Sequence, residues 1–108
     1  MQFCPWYPLV DAASHAPSSP GVWQVRLAKG LRDFPGGKSA MVQYGYADDV
    51  ASAVAMFAAA YPAQAATWVC RHLIPVDDNP LPPNAELAAF CGKLRAQFTA
   101  RFGAEPQP

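Results

Sequence analysis

The sequence predicts one α+β domain with a small three-stranded antiparallel sheet, the element order β-β-α-β-α, and both helices on one face. Three segments are rich in β-branched and aromatic residues and are bounded by turn residues, as strands are: residues 21–28, 40–46 and 66–74. Two other segments, residues 50–61 and 87–102, repeat apolar residues at helical spacing. The 108 residues are about the length of one domain, so the whole chain is expected to fold as one unit.

The two ends of the chain are expected to contribute less regular structure. Prolines at positions 5, 8 and 17 lack an amide donor and favour an extended arm over residues 1–19. Because this arm also carries aromatic residues that are costly to expose, we expect it to lie across the domain. Residues 104–108 are expected to form a frayed, flexible tail.

The first two strands should form a hairpin with a long loop. Residues 29–39 between them contain the turn residues Gly30, Pro35, Gly36 and Gly37, and no regular element is predicted there.

Each helix has recognisable ends. Asp48 or Asp49 is a suitable N-cap for the first helix, because a carboxylate accepts hydrogen bonds from free amides, and Pro62 should stop it. The second helix should begin at Asn84 and close at Gly103 in a left-handed conformation. Its apolar stripe is expected to bury three residues against the sheet: Phe90, Leu94 and Phe98.

Charge and cysteine content narrow the function classes. The formal net charge is +0, which gives no overall attraction to nucleic acid or to an acidic membrane, so nucleic acid is a less favoured partner. The three cysteines, Cys4, Cys70 and Cys91, have no metal-ligand spacing, and their odd number does not suit a disulfide framework. The first residues lack the pattern of a secretory signal, and no apolar run approaches the ~20 residues that span a bilayer. We therefore expect a cytoplasmic protein with reduced thiols and no membrane partner.

Two short motifs carry a resemblance to a known family. Residues 21–23 read Gly-Val-Trp at the start of the first strand, and residues 43–45 read Gln-Tyr-Gly at the end of the second. Glu86 lies near the start of the last helix. With the element order, these features resemble the GIY-YIG nuclease superfamily over residues 20–103. The resemblance implies two strand tyrosines and a helical arginine around a phosphodiester, with the glutamate on a single divalent metal.

The chain departs from that pattern at three of the four positions. Trp23 stands at the first tyrosine, and Gln43 stands at the second, with Tyr44 one residue out of register. The helix after the second motif contains no arginine. Glu86 alone remains, so Mg²⁺ or Mn²⁺ at Glu86 is the one cofactor that the resemblance leaves open, and we expect phosphodiester cleavage to be lost.

The former cleft is expected to bind a small molecule or a protein partner instead. Its predicted lining is Trp23, Gln43, Tyr44, Arg71 and Glu86, with a carboxylate of the ligand on Arg71, because guanidinium pairs bidentately with carboxylate. One alternative is a metal-dependent endonuclease or a small-molecule enzyme that uses Glu86. A second is a structural module in which the apolar arm and the Ala-rich helix faces form a homodimer surface.

The third strand offers another pair of reactive side chains. Cys70 and His72 share one face of this strand, because alternate strand residues point to the same side. They form either a thiolate–imidazole pair or, more commonly, a buried core cysteine beside a capping histidine. His15 lies in a Ser/Pro segment and is assigned no role.

Overall fold

An antiparallel sheet with a helix on each face organises the chain in a computed structural model, which describes residues 1–108. The elements in chain order are β1 (Gln2–Phe3), β2 (Tyr7–Pro8), a 3-10 helix (Leu9–Ser14), β3 (Gly21–Leu27), β4 (Arg32–Phe34), β5 (Gly37–Ser39), β6 (Met41–Ala47), α1 (Val50–Ala60), α2 (Pro62–Ala65), β7 (Trp68–Ile74) and α3 (Asn84–Phe102). The predicted α+β class and the antiparallel sheet are confirmed.

The sheet is wider than the sequence predicts. The hairpin of β3 and β6 is present, and β7 pairs with the other side of β3, so that Trp23 lies between Gly45 and His72. The short strands β1 and β2 pair with the outer edge of β7. The predicted count of three strands is therefore too low, because the amino-terminal arm supplies the additional edge.

The arm also contains a helical turn that the prolines did not suggest. Leu9 and Ala12 are buried on this 3-10 helix and pack in the same core as α1. The end of the arm meets the start of α1, where the amides of Val50 and Ala51 donate to the carbonyls of Ser19 and Pro17. The arm is thus an integral layer of the domain, partly extended and partly helical.

The prediction that both helices cover one face is wrong. Helix α1 buries Val50 and Val54 against the face that carries Trp23, whereas α3 buries Leu87 against the face that carries Val22. The reason lies in β3, whose first five residues are all buried. Alternate residues of a strand point to opposite faces, so a strand buried at consecutive positions needs cover on both sides.

The loop between β3 and β6 folds into a second hairpin. Strands β4 and β5 pair antiparallel, with Phe34 opposite Gly37. Phe34 contacts Phe98 edge to face at a centroid distance of 5.1 Å, and Arg101 donates to the Gly36 carbonyl at 2.7 Å. The hairpin therefore packs on the last turns of α3, where the sequence predicted an irregular loop.

The predicted helix ends are confirmed. The Asp49 carboxylate accepts from the Ser52 amide at 3.1 Å, and α1 ends before Pro62, which begins α2. At the end of α3, Gly103 has a φ of +79° in the left-handed region. None of the helices combines the length and apolar character that crossing a membrane requires.

The predicted frayed tail is instead attached to the domain. Pro106 is buried, and the Gln107 carbonyl accepts a hydrogen bond from Arg32. Glu105 forms an ion pair with Arg95 at 3.9 Å.

Candidate ligand-binding site

The sheet separates the predicted cleft residues onto its two faces. Trp23 lies on the face covered by α1. Tyr44 and Arg71 both lie opposite Gln24, the next residue of β3, and so share the other face. The structure therefore does not form one cleft that contains both Trp23 and Arg71.

Trp23 belongs to the core. Only 6% of the residue is exposed, and its ring contacts Phe57 at a centroid distance of 5.4 Å. The indole crosses directly over Gly45, where an added Cβ would lie 2.2 Å from Trp23 Cε2. Its Nε1 is buried without a hydrogen-bond partner. The glycine of the second motif thus makes room for the tryptophan of the first.

Gln43 and Glu86 also stand apart from Arg71. Gln43 is half-buried and pairs with Val25, whose side chain is in the core with Trp23. Glu86 is exposed on the first turn of α3 and forms no ion pair. No group of three or more His, Cys, Asp or Glu side chains in the chain could hold a metal ion. Glu86 is therefore a single exposed carboxylate on α3, and a metal ion at Glu86 stays a prediction.

Tyr44, Gln24 and Arg71 form a row across β6, β3 and β7 on the face that α3 partly covers. Gln24 is 4% exposed, and its Oε1 accepts a hydrogen bond from Arg71 Nε at 2.8 Å. This bond fixes the plane of the guanidinium through its inner nitrogen. The two terminal nitrogens of Arg71 make no hydrogen bond within the chain, so their donors remain for a ligand.

The arm brings aromatic rings against this guanidinium. Arg71 Cζ lies 4.4 Å from the centroid of the Trp6 ring and 4.5 Å from that of Phe3. Arg26, on the same face of β3, places its Cζ 4.1 Å from the Trp6 ring. One indole therefore holds two half-buried arginines, each by a cation–π contact. We call Trp6, Gln24, Arg26 and Arg71 the arginine face.

No acidic side chain balances these two charges. The ion pairs of the chain are Lys38 with Asp33 and Arg95 with Glu105. Burial lowers the pKa of Arg71, and the nearby Arg26 charge lowers this pKa further. Burial raises the pKa of Tyr44, and the positive charge of Arg71 partly offsets that effect. A fixed pair of cations without a counterion can bind a carboxylate or a phosphate.

Trp6 also lines a pocket. It has a volume of about 310 Å³ and is lined by Cys4, Pro5, Trp6, Tyr7, His15 and His72. The Tyr7 hydroxyl lies 2.9 Å from Nδ1 of the buried His72, and His15 stacks on the Tyr7 ring with centroids 4.5 Å apart. His15, which had no predicted role, is therefore part of this wall.

Three features of these sites are absent from the sequence interpretation. The predicted cleft placed Trp23 and Gln43 beside Arg71, but the aromatic residue and the amide beside Arg71 in the structure are Trp6 and Gln24. Arg26 is a second cation that the prediction did not include. Val22, Gln24 and Arg26 occupy every second position of β3, and this spacing indicates that their side chains share one face. The contact with Trp6 depends on how the arm folds back, which no local pattern encodes.

A scan against protein-family models and a search of curated proteins both find no match to this chain. The case for a functional site therefore rests on the geometry of the chain itself.

Proposed function

We propose that this chain is a GIY-YIG-like domain that binds a small carboxylate-bearing ligand on the arginine face and does not cleave phosphodiesters. The observation that carries the proposal is the pair of arginines on Trp6 without an acidic partner, one of them oriented by a buried glutamine. Such an arrangement has the charge and the donors for an anion already in place.

The energetics favour an anionic occupant. Two like charges on one half-buried surface repel each other, and a bound carboxylate would relieve that repulsion. Hydrogen bonds to charged groups contribute about 1.5–3 kcal/mol, and a bidentate guanidinium–carboxylate pair provides two of them. Because Gln24 occupies only Nε of Arg71, the pair of terminal nitrogens suits this bidentate geometry.

The environment of the former catalytic positions supports binding over cleavage. Trp23 is enclosed in the core and has no proton acceptor, and the Gln43 amide cannot take a proton at neutral pH. Helix α1 contains no arginine to stabilise charge on a phosphate. Loss of one such donor costs about 10²–10³ in rate, so loss of three groups should abolish hydrolysis.

Benzoate and benzamide form a matched pair of probes, because they have the same shape and differ in charge. Each is titrated into ¹⁵N-labelled protein while the Arg71 Nε–H and Trp6 Nε1–H resonances are followed. We expect benzoate to shift both resonances and to bind at least about tenfold more tightly than benzamide, as loss of one charged pair predicts. Equal binding of the two probes, or no shift at Arg71, would overturn the proposal.

Variants separate the arginine pair from general charge. Arg71→Lys keeps the charge but removes the pair of terminal guanidinium nitrogens that binds a carboxylate in bidentate geometry. Arg26→Gln removes the second cation. Both should weaken benzoate binding, whereas Lys93→Gln removes one exposed charge on α3 and should leave it unchanged. Inorganic phosphate is titrated in parallel. Tighter binding of phosphate than of benzoate would reject the carboxylate assignment and identify a phosphate site.

A further inference from the structure

We propose that Cys4 is a nucleophilic thiol, with His72 as its proton acceptor, that reacts with small carbon electrophiles entering the pocket between the arm and β7. Cys4 Sγ lies 3.6 Å from His72 Nδ1 and also accepts the His72 backbone amide at 3.4 Å. The inference goes beyond the proposed anion site, because it concerns a different cavity and a different chemistry.

The backbone holds the sulfur in position. The Cys4 amide donates to the His72 carbonyl at 2.9 Å, as in an antiparallel pair, but the return bond from the His72 amide goes to the cysteine sulfur. A thiolate at this point would keep that backbone donor. Pro5, directly after Cys4, cannot continue the strand pairing with an amide of its own, and the pocket opens there.

The imidazole is in the neutral form that can accept the thiol proton. His72 is 6% exposed, and burial, together with the nearby His15, lowers its pKa, so the ring is neutral near pH 7. On transfer, the proton of Cys4 moves to Nδ1, and the resulting N–H can donate to the Tyr7 hydroxyl 2.9 Å away. The thiolate then forms a bond to the electrophilic carbon, and the leaving group departs with the electron pair of its own bond.

The other two cysteines lack this setting. Cys70 is fully buried, and burial raises its pKa to about 11. Cys91 is 5% exposed, and burial likewise raises its pKa. Of the two alternatives for Cys70, the buried core cysteine agrees with its burial. Cys70 lies on the same face of β7 as His72, but the thiol that contacts the His72 ring is Cys4. Cys70 and Cys91 therefore serve as internal controls.

The test measures alkylation by iodoacetamide at pH 7, resolved for each cysteine by mass spectrometry. The product is a thioether, and iodide is released. The reference is the same Cys4 in the chain unfolded by concentrated urea. A free thiol is only a few per cent thiolate at pH 7, so transfer of the thiol proton to His72 can raise the alkylation rate by about tenfold. We therefore expect native Cys4 to react about tenfold faster than the urea reference. Cys70 and Cys91 should be protected in the native chain.

His72→Asn places an amide near the Nδ1 position but cannot accept a proton. It should bring the rate at Cys4 down to the urea reference or below, while continued protection of Cys70 shows that the variant is folded. Tyr7→Phe tests the pocket without removing the imidazole and should leave Cys4 faster than the reference. Native Cys4 that reacts no faster than in urea, or a rate unchanged by His72→Asn in the folded state, would overturn the inference. Neither readout depends on benzoate binding at Arg71, so the two proposals can fail separately.

Discussion

At the scale of single residues, Trp23 and Gly45 act as one unit. They lie opposite each other on β3 and β6, and the indole occupies the space where a side chain of residue 45 would be. The sequence interpretation placed Trp23 in a ligand cleft and Gly45 in the second motif, but their contact lies in the core under α1. A large aromatic residue on one strand thus requires the smallest residue on the next.

Gly45→Ala should destabilise the domain. The added Cβ would lie 2.2 Å from Trp23 Cε2, so the indole or the strand must move. Overpacking of this kind costs about 1–3 kcal/mol, which urea denaturation will measure as a lower free energy of unfolding. Combining Gly45→Ala with Trp23→Phe should cost less than the sum of the single changes, because the smaller ring relieves the clash.

Gly92→Ala is the matched control. An added Cβ at Gly92 meets no atom within 4 Å, and alanine is favoured over glycine inside α3 by about 0.5–1 kcal/mol. This variant should therefore be at least as stable as the parent. If Gly45→Ala were equally well tolerated, the indole would not be fixed over β6.

Arg71 and its neighbours show which parts of the site could be predicted from the sequence. Arg71 was expected to bind a carboxylate, and it is now the best-oriented cation of the arginine face. Its neighbours could not be predicted, because they depend on strand register. Gln24 meets Arg71 only because β7 pairs with β3 in the observed register, and Trp6 arrives from more than sixty positions away in the sequence.

At the scale of elements, local patterns predicted the main strands and helices well but not their arrangement. The glycine end of α3 was predictable from the sequence, but its buried face was predicted only in part: Phe98 is buried as expected, whereas Phe90 and Leu94 are half-buried. Leu87 and Cys91 are the other buried residues of this helix. The side of the sheet that each helix covers was not predicted, although the neighbouring apolar residues Val22 and Trp23 of β3 indicate a strand that is covered on both faces. The β4–β5 hairpin was missed because it depends on its contact with α3 and not on its own composition.

Phe98 tests that contact between elements. It is 5% exposed and packs against Phe34 of the hairpin, Tyr44 of β6 and Phe102 of its own helix. Phe98→Ala should lower the free energy of unfolding by about 3–5 kcal/mol in urea denaturation, because it leaves a cavity where three elements meet. Met56→Ala on α1, where the residue is 74% exposed, should change it by less than about 0.5 kcal/mol. A similar small effect at Phe98 would mean that the hairpin and α3 are not held by this cluster.

At the scale of the whole molecule, the arm connects the two candidate sites. It pairs with the outer edge of β7, brings Trp6 into contact with both Arg26 and Arg71, and places Cys4 beside His72. Two of its apolar residues are packed within the chain, since Tyr7 is 4% and Leu9 1% exposed, whereas Val10 is 62% exposed. Part of the arm is therefore packed on the domain itself, and a homodimer surface on its exposed part stays a prediction.

Removing residues 1–8 should therefore change the association state as well as the stability. The deletion takes away β1 and β2 and leaves the outer backbone groups of β7 unpaired, and an exposed strand edge readily pairs with another chain. It also removes the buried Tyr7 ring, whose loss should cost at least the ~3–5 kcal/mol typical of a core aromatic residue. Sedimentation velocity at rising concentration should show self-association of the shortened chain but not of the full chain. A synthetic peptide of residues 1–8, added in excess, should reverse it by occupying β7. A shortened chain that stays monomeric and unfolds at the same urea concentration as the parent would contradict the role assigned to the arm.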